Sequence, residues 1–308
     1  MVAPLSFQTI RQLISDVEIP SRLGHYPAEL VQAVYRYGAP VGSTILHLPQ
    51  ADRLMPLARQ RINEDETRGH SCPSGMAFLA DELTGSRGRF QRSWYAPPGG
   101  LWLTLVMANT LLPESMRLYP LAAGMACCEA IRSYGIDARV KWVNDVHVSG
   151  RKICGVLCES FTSSTFAEEY VLIGVGLNVN NLPFPAELGA TAVSMKEILG
   201  CDTELTSFAA RLLAKFSWSF GLLCHDEAQR LAADDGSGAQ LPDSLLLAGW
   251  RELSDSVGRK VWFGFDVQRQ PQYQAEVLGL APDGGIVLRH LESGGEIVEH
   301  SGELLYID

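Results

Sequence analysis

Two runs in this chain are apolar almost without interruption, "GGLWLTLVMA" at 99–108 and "YVLIGVGLNVN" at 170–180. A half-exposed strand alternates apolar and polar side chains, so runs of this kind read as strands buried on both faces. Strands buried on both faces need a layer above and a layer below. The rest of the chain can supply them. "STILHLP" and "MAFLADEL" read as further strands, and "ARVKWVND" and "KICGVLCES" as a strand pair joined through "VHVSGRK", with Ser149-Gly150 as the turn. "YPLAAGMACCEAIRSYG" reads as a helix ended by Gly135. Residues 203–256 read as largely helical, with an exposed loop at 233–244. This mixture predicts the α+β class: a mixed sheet with flanking helices.

After residue 256 the texture changes. "RKVWFGF", "YQAEVLGLAPDGGIVLRHL" and "GEIVEHSGELLYI" are short strands separated by Gly, Asp and Pro turns, with "PDGG" as a hairpin signal. The expected organisation is a helical lead-in at 1–38, a main domain at 39–256 and a small separate β-barrel-like domain at 257–308. The lead-in contains "FQTIRQLISDVE" and "PAELVQAVYRYG", with Pro27 expected at the first helical position. Its cations are Arg11, Arg22 and Arg36, and DNA binding is not expected of it.

The formal charge of 25 − 35 = −10 disfavours nonspecific nucleic-acid binding, which needs a clustered basic surface. Any basic cluster therefore stands out. Seven cysteines without a regular framework fit free thiols in a reducing compartment, so a cytoplasmic location is expected. No basic-then-apolar leader opens the chain, and no run approaches the ~18 apolar residues of a membrane span.

Three stretches carry chemistry. In "DELTGSRGRFQRSW", Asp81 to Trp94, three arginines (Arg87, Arg89, Arg92) fall within six residues beside Gly85 and Gly88. Guanidinium groups and exposed N–H groups on a glycine-rich backbone suit a phosphate or carboxylate; the alternative is a merely solvated basic loop. In "KWVNDVHVSGRKICGVLCES", Lys141 to Ser160, a polar cluster interrupts apolar strand. Lys152 heads the strand, where its amine can neutralise an anion in a partly dehydrated site. Asn144 and Asp145 precede it, and Asp145 can take a proton from an incoming amine or help to hold a metal. The competing reading is a polar hairpin in which both only stabilise a turn. In "IGVGLNVNN", Gly174 and Gly176 lack the third glycine of a dinucleotide fingerprint, since position 179 is Val. There the glycines let a ligand approach the strand, and Asn178 and Asn180 offer amides suited to a planar heterocycle; turn formation is the alternative. No GxxxxGK[ST] or GxSxG occurs, and His70-x-Cys72 and Cys154/Cys158 lack a second pair for structural zinc.

Taken in order, Ser43-Thr44, "SRGRFQRSW", "KWVND…GRKICGVLCE" and "GVGLNVN" resemble the motifs of the biotin protein ligase family. "ATAVSM" at 190–195 and Trp250 add to the likeness. The resemblance implies a catalytic core like that of class II aminoacyl-tRNA synthetases followed by an SH3-like barrel. It implies formation of biotinyl-5′-AMP from biotin and MgATP, then transfer to one lysine of a biotin carboxyl carrier domain. Under it, Arg87, Arg89 and Lys152 stabilise the approach of carboxylate to α-phosphate, and Asp145 meets the acceptor lysine. Ser43 and Thr44 hold the ureido group, Trp94 shields the site and Asn178 contacts adenine. Gly88, Asn144 and Gly155 complete the substrate-binding set. No metal ligands are assigned, and homodimerisation is left open. The repressor form of the family is disfavoured by the short lead-in. Four positions depart from the family pattern: Leu83, Ser86, Gln91 and Ile45. Two polar contacts to the biotin head are thereby expected to be missing. A lipoate or octanoate ligase or transferase of the same fold, slightly favoured by Leu83, and a noncatalytic relative are the alternative readings.

Overall fold

The computed structural model describes residues 4–233 and 243–307. Most of the loop expected at 233–244 therefore lies outside the described residues. Helix α1 (Phe7–Leu13), capped by Ser6 Oγ accepting from the Thr9 N–H, runs through a π-helical turn at Ile14–Glu18 into α2 (Ile19–Leu23). Helix α3 (Ala28–Tyr37) follows, with Pro27 at the capping position, one residue earlier than expected. These helices join the main core through Ile10, Ile14, Val31 and Val34.

A seven-stranded sheet is built from β1 (Ile45–Leu48), β2 (Met76–Ala80), β3 (Leu101–Ala108), β4 (Arg139–Lys141), β5 (Asp145–Val148), β6 (Arg151–Thr162) and β7 (Glu169–Leu177). Its order is β1-β2-β3-β7-β6-β5-β4, parallel only between β1 and β2. The mixed sheet is as expected, with one correction. "VHVSGRK" is not merely a connection, because Val146 and His147 are buried and Asp145–Val148 pairs on both sides as β5. Only residues 142–144 turn there, and Ser149 (φ 49°) and Gly150 (φ 80°) form the next hairpin, with both central residues left-handed.

The two apolar runs lie side by side as β3 and β7, and period-2 alternation sorts their side chains onto opposite faces. Leu101, Leu103, Leu105, Val171, Ile173 and Val175 face one core, shared with α6 (Tyr119–Arg132) and α8 (Leu205–Ala233). Val106 and Leu172 face a second core, closed by α4 (Leu54–Thr67) through Leu54, Met55, Ala58 and Ile62. Short helices α5 (Pro113–Met116) and α7 (Met195–Leu199), and α9 (Leu245–Leu253), complete the shell. Helix α4 escapes sequence reading because charged residues interrupt its apolar stripe in "RQRINEDET", where Asp65 and Glu66 are buried alongside Ile62.

Helices α3 and α8 cross at near backbone contact. A Cβ on Gly221 would lie 2.1 Å from the Val34 carbonyl oxygen, and one on Gly38 would lie 1.8 Å from that of Ser217. A buried ion network fixes the same junction. Arg22 donates to Glu129 Oε1 at 2.9 Å, and Lys215 Nζ contacts Glu18 Oε2 at 2.7 Å and Glu129 Oε2 at 3.6 Å. Helices α1 to α3 thus share one core with the sheet.

The C-terminal strands β8 (Lys260–Gly264), β9 (Tyr273–Leu280), β10 (Ile286–His290), β11 (Glu296–Glu299) and β12 (Glu303–Tyr306) form an antiparallel sheet of order β11-β10-β9-β8-β12. The β9–β10 connection runs through Gly284 at φ 83°, where the "PDGG" signal places it. All seven cysteines are free thiols. Among the described residues no helix is long and apolar enough to cross a membrane.

Candidate active site

A cleft of about 520 Å³ opens between the main sheet, the 83–95 loop and the edge of the small sheet. Its floor follows from three glycines. Gly155 pairs with Gly176 across β6 and β7, and Gly174 follows two residues earlier on the same face. A Cβ on Gly176 would come within 2.6 Å of the Trp94 indole, and one on Gly155 within 3.1 Å of it. A Cβ on Gly174 would lie 3.0 Å from Met55 Cε. These glycines therefore make room for protein side chains, Trp94 above all, which then presents one face to the cleft. The space that the glycines of the "GVG" strand leave open is taken by Trp94 and Met55.

The polar end is built from the β4–β5 turn and the head of β6. Lys152 Nζ lies 2.6 Å from Asp145 Oδ1 and 5.3 Å from the Trp94 ring centroid. The Lys152 backbone is tied into "ATAVSM": its N–H donates to the Thr191 carbonyl at 2.8 Å and its carbonyl accepts from Val193 at 3.0 Å. Asn144 donates to the Val156 carbonyl while its Oδ1 accepts from Arg89 at 3.1 Å. Arg89 also donates to the Gly302 carbonyl at 3.1 Å, and burial lowers its pKa from the ordinary arginine value against the pull of Asp145 and Glu303. Arg92 donates to Glu303 Oε1 at 2.5 Å and to Asp266 Oδ1 at 3.2 Å. Among the described residues the Arg87 side chain donates to the Gln91 carbonyl, at 3.0 Å, and makes no ion pair. Gly88 sits among these arginines in the lining.

Lys141, across the strand pair from Asp145, also lines the cleft, with Nζ 4.7 Å from the Tyr306 ring centroid. Burial holds its pKa below the ordinary lysine value. Reading the sequence placed Lys141 in the polar cluster but gave it no role. Asn178, at the end of β7, is buried, lines the cleft, and has its Oδ1 occupied by the Asn181 amide at 3.0 Å. Asn180 instead closes a loop with both backbone groups of Thr203.

The lining carries six cations (Arg53, Arg87, Arg89, Arg92, Lys141, Lys152) against the carboxylates of Asp145 and Glu303. On a chain of net charge −10 this concentration suits an anionic ligand. Arg87, Gly88, Arg89, Trp94, Asn144, Asp145, Lys152, Gly155 and Asn178 are thus brought together in one cleft.

Ser43 and Thr44 are not part of it. Because β1 and β2 run parallel with Ile45 beside Ala77 and Leu48 beside Ala80, the ends of both strands that lead to the cleft are their C-terminal ends. Ser43 and Thr44 precede β1 at the opposite end, where the Ser43 hydroxyl donates to the Ser74 carbonyl at 2.8 Å. Ile45 lies at that end too and packs against the main core. Of the departures expected to touch a ligand's head, Leu83 alone lines the cleft. Ser86 has no left-handed strain, whereas Gln91 holds φ 59° where a glycine would be unstrained.

Residues 56–178 match the model of the biotin/lipoate A/B protein ligase family. The chain is 30% identical over 193 residues to the bifunctional ligase/repressor BirA of Bacillus subtilis, covering 60% of this chain and 58% of that protein. It is 31% identical over 177 residues to the Escherichia coli protein of the same name, covering 56% and 53%. The chain therefore spans little more than half the length of these relatives. The biotin protein ligase of Aquifex aeolicus, solved with biotin and ATP, superposes with a TM-score of 0.65 at 22% identity over 85% of this chain and 99% of that one. The folds are shared.

Proposed function

We propose, for a chain whose residues 56–178 match the model of the biotin/lipoate A/B protein ligase family, that it is a biotin protein ligase. It condenses biotin with ATP to biotinyl-5′-AMP and pyrophosphate, then passes the biotinyl group to one lysine of a biotin carboxyl carrier domain. The observation that carries the reading is the Lys152–Asp145 pair, 2.6 Å apart beside Arg89 and Asn144, in a cleft with an apolar extension over Trp94.

In the first step a carboxylate oxygen attacks the α-phosphorus and the bond to pyrophosphate breaks. Two anions must meet, so Lys152 between them and Arg87 and Arg89 around the phosphates lower the barrier by stabilising charge already in place. Lys141 adds a further cation at this end. Asn178, its Oδ1 held by Asn181, turns its amide nitrogen to the nucleotide base. Mg2+ would come with the nucleotide as MgATP, where it would help to neutralise the phosphate charge. In the second step the acceptor amine attacks the acyl carbon, AMP leaves, and the Asp145 carboxylate orients the amine and eases loss of its proton. Trp94 covers the adenylate against water. A cytoplasmic setting rests on the cysteine usage.

Intact-mass spectrometry of a biotin carboxyl carrier domain, incubated with the protein, MgATP and a mixture of biotin, lipoate and octanoate, tests this. A gain matching biotin is expected. A gain matching another acid moves the function to that acid, and no gain overturns the reading.

A further inference from the structure

With Ser43 and Thr44 at the far end of β1 and an apolar Leu83 in the wall, the acid's head must find its polar partner elsewhere. The main chain points to where. The junction between β1 and α4 is stitched onto the start of the basic loop: Ala51 bridges Leu83, and the Thr84 and Gly85 N–H groups donate to the Ala51 and Asp52 carbonyls at 3.0 and 3.1 Å. Arg53 is the next residue, at the N-cap of α4, half-buried and lining the cleft. Its neighbours in the lining, Leu54 and Met55 of α4 and Leu83, are apolar and belong to the second core, as does Leu157 across the wall. Among the described residues Arg53 makes no ion pair or side-chain hydrogen bond, whereas Arg87, Arg89 and Arg92 all donate to protein oxygens.

We propose that Arg53 is the specificity-determining residue for the acyl substrate, selecting acids whose far end carries a hydrogen-bond-accepting oxygen. This deepens the ligase reading and rests on it. A guanidinium group only donates, and a half-buried one facing a hydrocarbon tail loses water without gaining a partner. A ureido oxygen restores the lost hydrogen bond with charge assistance. Leu83 then supplies packing for the ring carbons, and the discrimination against apolar-tailed acids falls to Arg53.

The test compares wild type, Arg53→Met and Arg53→Lys in acyl-adenylate formation with biotin, dethiobiotin, octanoate and lipoate, measuring KM and kcat for each. Arg53→Met keeps the apolar stem and removes the donors. It is expected to raise KM for biotin and dethiobiotin roughly ten- to hundredfold, the range for a hydrogen bond to a charged group, while kcat holds. Octanoate, which has no acceptor at its far end, keeps or lowers its KM and doubles as the control for folding. Arg53→Lys is expected to fall between. Equal loss on all acids, or no change in the biotin-to-octanoate ratio, overturns the inference and leaves the ligase reading intact. A wild type that adenylates octanoate and not biotin overturns both the inference and biotin as substrate, and a wild type forming no adenylate overturns the ligase reading itself.

Discussion

Gly176→Ala isolates the role of the glycine floor. The added methyl would stand 2.6 Å from Cε2 and Nε1 of Trp94 and 3.0 Å from its Cζ2. Carbon atoms rest at about 3.5–4.0 Å, so the indole must retreat by roughly 1 Å. A rigid ring on a strand floor has no soft way to do so. Overpacking of this kind costs about 1–3 kcal/mol, and if the ring answers by leaving the cleft, that cost falls on the bound acid. The expected outcome is a rise in biotin KM between about fivefold and hundredfold with a small change in Tm. Gly174→Ala is the matched control. Its methyl would meet Met55 Cε at 3.0 Å, the end of a flexible thioether that can swing aside, so biotin KM should change little. Adding Trp94→Leu to Gly176→Ala should restore part of what Gly176→Ala loses, because the two changes share one contact. A Gly176→Ala variant with unchanged KM, or a Gly174→Ala variant as damaged as Gly176→Ala, would refute the reasoning.

Three further outcomes are expected. Lys152→Ala should lower adenylate formation by about 10²–10³, read as pyrophosphate release, with circular dichroism unchanged because the side chain is 38% exposed. Glu129→Gln should destabilise the chain by about 3–5 kcal/mol in urea unfolding, since Arg22 would stay buried without its carboxylate. Asp255 links the two sheets by accepting from His147 at 3.0 Å and Tyr306 at 3.1 Å; burial pushes its pKa up, but His147 and Arg259 outweigh this and hold it below the usual value. A depressed folded pKa stabilises above the unfolded value and loses that contribution as pH falls, so Tm should drop below about pH 4, and Asp255→Asn should flatten that drop.

What the sequence made legible were the features whose cause is local. Unbroken apolar runs announced β3 and β7, "PDGG" announced its hairpin, and three arginines in six residues announced an anion site. Other features depended on distant chain. The strand role of "VHV" came from pairing on both sides, and α4 from a groove waiting on the second face of the sheet. Ser43-Thr44 matched a motif in composition, but strand direction put the pair at the wrong end. Gly174 and Gly176 were read as room for a ligand; the room is taken by Met55 and Trp94, residues about 120 and 80 positions earlier in the chain. Arg53 carried no local signal, since its importance comes from what is missing around it.

The ties between the basic loop and the small C-terminal sheet bear on entropy. Ordering a backbone residue costs about 1–2 kcal/mol, so a segment the length of 84–94 cannot hold one shape on its own few internal hydrogen bonds. Arg89 on Gly302 and Arg92 on Glu303 and Asp266 take up part of that cost from outside the main sheet. None of those three acceptors needs to touch a reacting atom. Their contribution is to keep the loop's ensemble narrow before any ligand arrives, so a substitution at Asp266, which pairs with Arg92 from outside the cleft lining, would be felt as weaker binding of every anionic ligand in the cleft and not as altered chemistry.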